Sequence, residues 1–160
     1  MCGIVGYIGN RKASPILMNG LKRLEYRGYD SAGLSVINNG LIENFKKSGK
    51  VKQLEGLIKN KDFDSTIGIA HTRWATHGIP NDINAHPHLD NSRKIAIVHN
   101  GIIENYAALK KKLNQMGYSF YSDTDSEVLV VFIGALYDQL KNLEEAVRLA
   151  LSEVDGTFGI

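Results

Sequence analysis

The chain has 160 residues, of which 43% are hydrophobic and 22% are charged, and its formal net charge is +2. This length and composition suffice for one globular domain with a buried core. A net charge so small, with lysines scattered along the chain, argues against a nucleic-acid or membrane surface. No apolar run reaches the roughly 18–20 residues of a membrane span, and the N-terminus lacks the basic-then-apolar order of a signal peptide. We therefore expect a cytoplasmic protein with neither nucleic-acid nor membrane partners.

Short strands and amphipathic helices alternate along the first half of the chain. Residues 3–8 predict a strand, and Ser14-Pro15 predicts a helix start, with Gly28 as the stop. Asn39-Gly40 between two apolar runs is typical of a tight hairpin between antiparallel strands. The other elements predicted in this half are a helix over 51–59 and strands over 66–71 and 94–98.

The second half of the chain is mainly helical. Helical spacing covers residues 105–116, and residues 118–121 predict a short strand. Thr124 and Asn142 are each followed three residues later by a glutamate, a capping pattern that opens an apolar helix. Together the elements predict an α+β fold, with antiparallel sheet covered by helices.

Domain organisation is simple at the level of sequence. No internal repeat, low-complexity segment or shift in composition marks a boundary, so residues 1–160 are expected to form one domain. Residues 156–160 begin what reads as a strand and stop within it. This favours a fragment of a longer chain.

Cys2 is the only cysteine and directly follows the initiator methionine. Removal of Met1 is expected because the next side chain is small, and it would leave the thiol beside a free α-amine. An α-amine has a pKa of roughly 7.7–8.0, so it can accept the thiol proton near neutral pH. One terminus would then carry both a nucleophile and its base. The alternative is that Cys2 is small buried filler in an apolar strand.

Three polar clusters occur where predicted strands end, a common place for binding and catalytic residues. Arg73 offers a planar fork that suits a carboxylate, and Asp125 suits an ammonium. Asn100 and the N–H of Gly101 offer two donors for a tetrahedral oxyanion. A substrate with both an ammonium and a carboxylate is an amino acid. Each residue also has an ordinary alternative: a surface ion pair for Arg73, a turn for Asn100-Gly101, and a first-turn acid for Asp125.

The five histidines raise a metal hypothesis, since His86 is close to His88 and His71 to His77. No second cysteine and no regular zinc spacing accompany them. We therefore predict no metal and no cofactor, and we expect the histidines to have structural roles.

Several of these motifs together resemble the class II glutamine amidotransferases, whose glutaminase domain is an N-terminal-nucleophile hydrolase. The matching stretches are residues 2–6, 71–78, 99–105 and 122–127, and the resemblance spans nearly the whole chain. Residues 26–33 resemble the branch of the family that makes an amino sugar. The resemblance implies a four-layer αββα sandwich of antiparallel sheets covered by helices.

The resemblance also implies the catalytic residues. Cys2 would act as nucleophile through its thiol and as base through its freed amine, while Asn100 and Gly101 would form the oxyanion hole. An acylated Cys2 nitrogen could not act as the base, so a chain that keeps Met1 would be an inactive precursor.

For substrate binding, the resemblance implies L-glutamine as the ligand. Arg73 would hold its α-carboxylate and Asp125 its α-ammonium. Trp74, Thr76 and His77 would line the glutamine loop, with Trp74 also acting as a gate on the path of ammonia.

In that branch of the family a sugar-isomerase region follows the glutaminase domain, and residues 1–160 do not contain it. The chain is therefore expected to be half of an enzyme, supplying ammonia from glutamine for conversion of fructose 6-phosphate to glucosamine 6-phosphate. Its partners would be the C-terminal isomerase domains of the same chain, in a homodimer. Two alternatives stay open: a non-catalytic glutamine-binding regulatory module, and an N-terminal-cysteine hydrolase of another amide.

Overall fold

The computed structural model describes residues 2–61, 63–76 and 78–160. In chain order its strands and α-helices are β1 (Gly3–Ile8), α1 (Ala13–Leu24), β2 (Ser31–Asn38), β3 (Leu41–Ser48), α2 (Val51–Ile58), β4 (Ile67–Arg73), β5 (His88–Leu89), β6 (Ala96–Ile97), β7 (Asn100–Ile103), α3 (Tyr106–Gln115), α4 (Asp125–Leu140), α5 (Leu143–Glu153) and β8 (Gly156–Gly159). Among these described segments, no helix has the length and apolar character needed to cross a membrane.

The main sheet has four strands in the order β1-β4-β2-β3, and every pairing in it is antiparallel. The start of β1 lies beside the end of β4, with Gly3 opposite Thr72. Ser31, at the start of β2, is opposite Arg73. The chain terminus, the end of β4 and the start of β2 therefore meet at one end of the sheet.

The hairpin between β2 and β3 is confirmed. Asn39 and Gly40 have φ values of 50° and 77°, the left-handed pair that a tight two-residue turn requires. Asn38 is opposite Leu41 in the ladder, so the strands pair right up to the turn.

Two hydrophobic cores lie on opposite sides of the sheets. Helices α1 and α2 cover the main sheet, where Leu21, Leu34 and Leu54 are fully buried. Helix α4 covers the small strand pairs β5-β6 and β7-β8, and α3 and α5 pack against it. The order of layers is thus helices, main sheet, small strand pairs and helices.

The strand layers approach each other closely at Gly33. A Cβ added to Gly33 would lie 2.1 Å from the carbonyl oxygen of His86 and 2.7 Å from that of Phe45. Nearby, the Asn44 side-chain amide donates a hydrogen bond of 3.1 Å to the carbonyl of Pro87. A side chain at position 33 would therefore push the 86–87 segment off the main sheet.

The two predicted helix caps are confirmed, but the predicted start of α1 is wrong. Thr124 and Asn142 each accept a hydrogen bond from the backbone N–H three residues later. Helix α1 instead begins at Ala13, after Lys12, and Ser14 lies within its first turn. The N–H of Ala13 is already bonded to the carbonyl of Ser65, so a tertiary contact replaces the side-chain cap.

The strand predicted over 118–121 is also wrong, since this segment has no strand partner. Two of its backbone N–H groups are instead bonded to side chains: that of Ser119 donates to Asn91, and that of Tyr121 donates to Glu127. The strand predicted over 94–98 shortens to the two residues of β6.

Substitutions in α2 test the first core. Leu54 is fully buried, whereas Leu57, three residues on, is 46% exposed. We expect Leu54→Ala to lower the free energy of unfolding by about 2–5 kcal/mol, because it removes core contacts and leaves a cavity. Leu57→Ala makes the same change in helix propensity at an exposed position, so it should lower the free energy of unfolding by less than about 1 kcal/mol. Urea unfolding of both variants measures the difference, and equal losses would contradict this assignment of the core.

Candidate active site

A cavity of about 220 Å³ lies at the end of the main sheet where β1 begins and β4 ends. Its walls come from the residue before β1, from β4 and the loop after it, from β7, and from the start of α4. The predicted site residues that line it are Cys2, Arg73, Trp74, Thr76, Gly101 and Asp125. Asn100 joins them through a hydrogen bond to His71, another residue of the cavity wall. His77 lies outside the described residues.

Cys2 is held against the loop that follows β4. The backbone N–H of Trp74 donates to the Cys2 Sγ at 3.2 Å, and the Sγ lies 3.5 Å from the carbonyl oxygen of the same residue. Cys2 is free and partly exposed. The reading of this residue as buried filler is therefore wrong, because its sulfur faces the cavity.

Arg73 is only 4% exposed, so the surface ion pair considered from the sequence is wrong. Its Nη2 donates to the carbonyl of Gly78 at 3.2 Å, and its Nη1 lies 3.9 Å from the Asp30 Oδ1. Burial lowers the pKa of Arg73 from its usual value, while the nearby carboxylates of Asp30 and Asp125 oppose that shift. A guanidinium remains charged at neutral pH, so the cavity contains a fixed cation.

Asp30 is a site residue that the residue-by-residue reading missed. Its carboxylate accepts hydrogen bonds from the Ala75 N–H and, at 2.9 Å, from the Ser31 hydroxyl. Its own N–H donates to the carbonyl of Arg73 at 2.7 Å. Asp30 therefore ties the start of β2 to the loop that carries Arg73. Its only sequence signal was its membership of the stretch 26–33.

Trp74 is 55% exposed and lies over Gly28 at the mouth of the cavity. Gly28 has a φ of 74°, and a Cβ there would come within 3.2 Å of the indole ring. Position 28 therefore favours glycine for its backbone conformation and for the space that the ring needs. More than half of the Trp74 surface therefore remains exposed.

Asp125 lies in the first turn of α4, as its ordinary alternative predicts, but it is 3% exposed and faces the cavity. One carboxylate oxygen accepts the N–H of Ile103 at 2.8 Å. The other lies 3.4 Å from the Ser126 hydroxyl. This position also favours a negative charge, because the N-terminal end of a helix is electropositive.

Asn100 and Gly101 begin strand β7, so the turn considered for them is wrong. The Oδ1 of Asn100 lies 2.7 Å from the Nε2 of His71. Gly101 has a φ of 128°, and a Cβ there would lie 2.2 Å from the carbonyl oxygen of Thr157. The pairing of β7 with β8 therefore requires glycine at this position.

Four histidines form a buried cluster beneath the cavity: His71, His86, His88 and His99. The rings of His71 and His86 stack with their centres 4.3 Å apart, and His88 meets His86 edge-on at 4.7 Å. The Nδ1 of His99 bonds to the Ser126 Oγ at 2.7 Å. Burial lowers the pKa of His71 to about 4, and it lowers those of His86 and His88 well below the usual value. These three rings are therefore neutral at pH 7.

The cluster is not arranged as a metal centre. Within residues 2–61, 63–76 and 78–160, no group of three or more His, Cys, Asp or Glu side chains could hold a metal ion. The histidines instead bond to polar groups of neighbouring elements, such as the His88 Nε2 to the Thr124 Oγ1 at 3.1 Å.

Comparison with known families agrees with this geometry. A family profile described as a glutamine amidotransferase domain matches residues 56–146, more than half of the chain. The chain therefore belongs to the glutamine amidotransferase family.

More specific likenesses come from curated relatives. Glutamine–fructose-6-phosphate aminotransferase (isomerizing) of Bacteroides thetaiotaomicron is 58% identical over 164 residues, and that of Pyrococcus horikoshii is 51% identical over 160. Both alignments cover 100% of this chain, but only 26% and 27% of the relatives. The chain thus spans about a quarter of the length of these relatives.

Solved structures support the predicted fold. The allosteric regulatory enzyme of purine biosynthesis superposes with a TM-score of 0.83 at 26% identity, covering 97% of this chain and 34% of that one. Glutamine phosphoribosylpyrophosphate amidotransferase from B. subtilis gives 0.78 at 25% identity, with 97% and 33% covered. The α+β fold of the N-terminal-nucleophile amidotransferases, predicted from the sequence, is confirmed.

The neutral histidines predict acid sensitivity. In the unfolded chain a histidine binds a proton below about pH 6.5, whereas His71 in the folded protein resists protonation down to about pH 4. The unfolded state therefore binds more protons between these values, and the free energy of unfolding falls as the pH falls through that window. From about pH 7 to pH 5 we expect a loss on the order of 2 kcal/mol from His71 alone.

Urea unfolding at several pH values measures this loss. Asp82, whose pKa is lowered by Lys47 and Ser48, loses its contribution only below about pH 4, so the two effects occupy separate windows. A free energy of unfolding that stays constant between pH 7 and pH 5 would contradict the buried neutral state of His71.

Proposed function

We propose that this chain is the glutaminase part of a glutamine–fructose-6-phosphate aminotransferase. It would hydrolyse the side-chain amide of L-glutamine to glutamate and ammonia, and the ammonia would convert fructose 6-phosphate to glucosamine 6-phosphate. The observation that carries this proposal is that the buried Arg73 and Asp125 line the same cavity as the Cys2 thiol. Fructose 6-phosphate is proposed as the acceptor because the relatives are named as aminotransferases of that sugar.

In the proposed complex, each of the two charged groups on the α-carbon of glutamine is bound by a side chain of opposite charge. The Arg73 guanidinium pairs with the α-carboxylate and the Asp125 carboxylate with the α-ammonium. Both protein groups are at least 95% shielded from water, which strengthens charge-assisted hydrogen bonds to the substrate. Thr76, Trp74 and His77 complete the glutamine loop in this proposal.

The reaction then proceeds through a thioester on Cys2. The α-amine of Cys2, freed by removal of Met1, takes the thiol proton as the sulfur attacks the amide carbon. A tetrahedral oxyanion forms and collapses, the C–N bond breaks, and ammonia leaves with a proton returned from the amine. Water, deprotonated by the same amine, attacks the glutamyl thioester, and the C–S bond breaks to release glutamate and the thiol.

The oxyanion would be stabilised by the Asn100 side-chain amide and the Gly101 N–H. Removal of one such donor typically lowers kcat by about 10²–10³-fold. The position of Gly101 supports this role, because it lines the same cavity as the Cys2 thiol.

The sugar chemistry requires a partner region outside these 160 residues. We propose that it is supplied by C-terminal isomerase domains of the same chain, within a cytoplasmic homodimer. The exposed indole of Trp74 at the cavity mouth would meet that region and act as the gate for ammonia.

The nucleophile is tested with full-length protein whose intact mass shows that Met1 has been removed. We expect it to release glutamate from glutamine and Cys2→Ala to release none, because the variant lacks the attacking sulfur. Since Cys2 is partly exposed, the variant should keep the melting temperature of the parent. Normal turnover by Cys2→Ala would defeat the mechanism. A processed parent that binds glutamine without hydrolysing it would favour the regulatory-module alternative.

The assignment of Asp125 is tested with Asp125→Asn and two substrates, glutamine and its des-amino analogue. Asparagine keeps an oxygen for the Ile103 N–H but loses the charge that pairs with the ammonium. We expect kcat/KM for glutamine to fall at least about tenfold, in line with 1.5–3 kcal/mol for a charged hydrogen bond. For the des-amino analogue, the parent and variant should differ by less than about threefold. Equal losses on both substrates would favour an enzyme that acts on another amide.

A further inference from the structure

The starting observation is the contact between His71 and Asn100. The His71 side chain is fully buried, and its Nε2 lies 2.7 Å from the Asn100 Oδ1. An amide oxygen can only accept a hydrogen bond, so the Nε2 of His71 must carry a proton. The ring is neutral at pH 7, so this is its single ring proton.

This bond selects one of two orientations of the Asn100 amide. Rotation of the amide by half a turn would exchange its oxygen and nitrogen and bring the NH₂ group against the Nε2–H of His71. With the ring proton on Nε2, two donors would then face each other in a buried site, and both would be unsatisfied. The other ring tautomer is disfavoured because its proton would lie on Nδ1, which has no hydrogen-bond partner among the described residues. The observed orientation directs the Asn100 NH₂ group away from His71.

The protein also fixes the ring of His71. The residue lies in the middle of the main sheet, opposite Ile4 on β1 and Gly33 on β2. Its ring stacks on that of His86, with the centres 4.3 Å apart. The Nδ1 of His86 in turn accepts the backbone N–H of His99 at 3.2 Å, which holds the second ring in place.

We propose that His71 is a positioning residue of the oxyanion hole: its Nε2–H holds the Oδ1 of Asn100, so that the Asn100 NH₂ group is presented to the tetrahedral intermediate. This inference rests on the proposed function. His71 acts through Asn100 and makes no bond to the reacting atoms. The buried histidine cluster would then orient the Asn100 NH₂ group in addition to packing beneath the cavity.

Two substitutions of nearly equal length separate donation from packing. In His71→Gln the amide nitrogen is the same number of bonds from the backbone as the Nε2 of histidine, so it can still donate to the Asn100 Oδ1. In His71→Met the terminal methyl group occupies that place and cannot donate. Both variants are made in the full-length, Met1-processed protein, and their melting temperatures are recorded.

Three measurements are made on the parent and on each variant. The first is kcat for glutamate release from glutamine. The second is the Kd for glutamate, which reports binding of the product without formation of a tetrahedral intermediate. The third is the rate of Cys2 alkylation by iodoacetamide, a displacement at a saturated carbon that forms no tetrahedral oxyanion.

We expect kcat of His71→Met to fall at least tenfold below that of His71→Gln, while His71→Gln stays within about tenfold of the parent. A misdirected donor should approach the 10²–10³-fold loss seen when an oxyanion-hole donor is removed. The Kd for glutamate and the alkylation rate should stay within about threefold of the parent in both variants.

Equal kcat values for His71→Met and His71→Gln would overturn the inference. Parallel losses of kcat, glutamate binding and alkylation in His71→Met would also overturn it, because they indicate a general packing role. Failure of the proposed function looks different: the parent itself would release no glutamate, and both proposals would fall together.

Discussion

The antiparallel pairing of β1 with β4 is the constraint on which the rest of the site depends. The register that sets Gly3 opposite Thr72 brings the sulfur of the preceding residue, Cys2, to the backbone of Trp74. A slip of one residue would exchange the faces of β1 and turn its side chains toward the opposite layer. The position of the thiol is therefore set by a ladder of backbone hydrogen bonds along six residues of β1. A loop of similar length could not hold it so firmly.

The buried polar groups around the cavity are of two kinds, charged and neutral. In the proposed substrate site the Arg73 guanidinium lies 3.9 Å from the Asp30 carboxylate, and the Asp125 carboxylate accepts a hydrogen bond from the Ile103 N–H. Such partners offset the cost of burying these groups. Beneath them, burial lowers the pKa values of His71, His86 and His88, and these three rings are neutral at pH 7. One polar region therefore contains two kinds of group: fixed charges that can pair with a ligand, and neutral rings that donate or accept in a single direction.

Local signals were predictable from the sequence, whereas signals that depend on tertiary contacts were not. The Asn39-Gly40 hairpin and the Thr124 cap follow from chemistry within a few residues, and both are present. The segment 118–121 has strand-like residues, but the backbone N–H groups of Ser119 and Tyr121 are bonded to the side chains of Asn91 and Glu127. Asp30 and the orientation of Asn100 depend on residues 45 and 29 positions away, respectively. Spacing alone does not reveal these partners, and only the combined motifs placed the cavity residues together.

The bond between Asp125 and Ile103 has a consequence for substrate length. Strand β7 carries Asn100 at one end and Ile103 at the other, so the carboxylate proposed for the ammonium is tied to the element that carries the proposed oxyanion donors. In the proposed complex, the same short strand would thus position both the α-ammonium and the side-chain amide of the bound amino acid. Asparagine, shorter by one methylene, would place its amide carbon short of the sulfur, and a misplacement of about 1 Å can cost about 100-fold in rate. Selection of glutamine over its shorter homologue would then be a property of β7 as a spacer, without any side chain dedicated to rejecting asparagine.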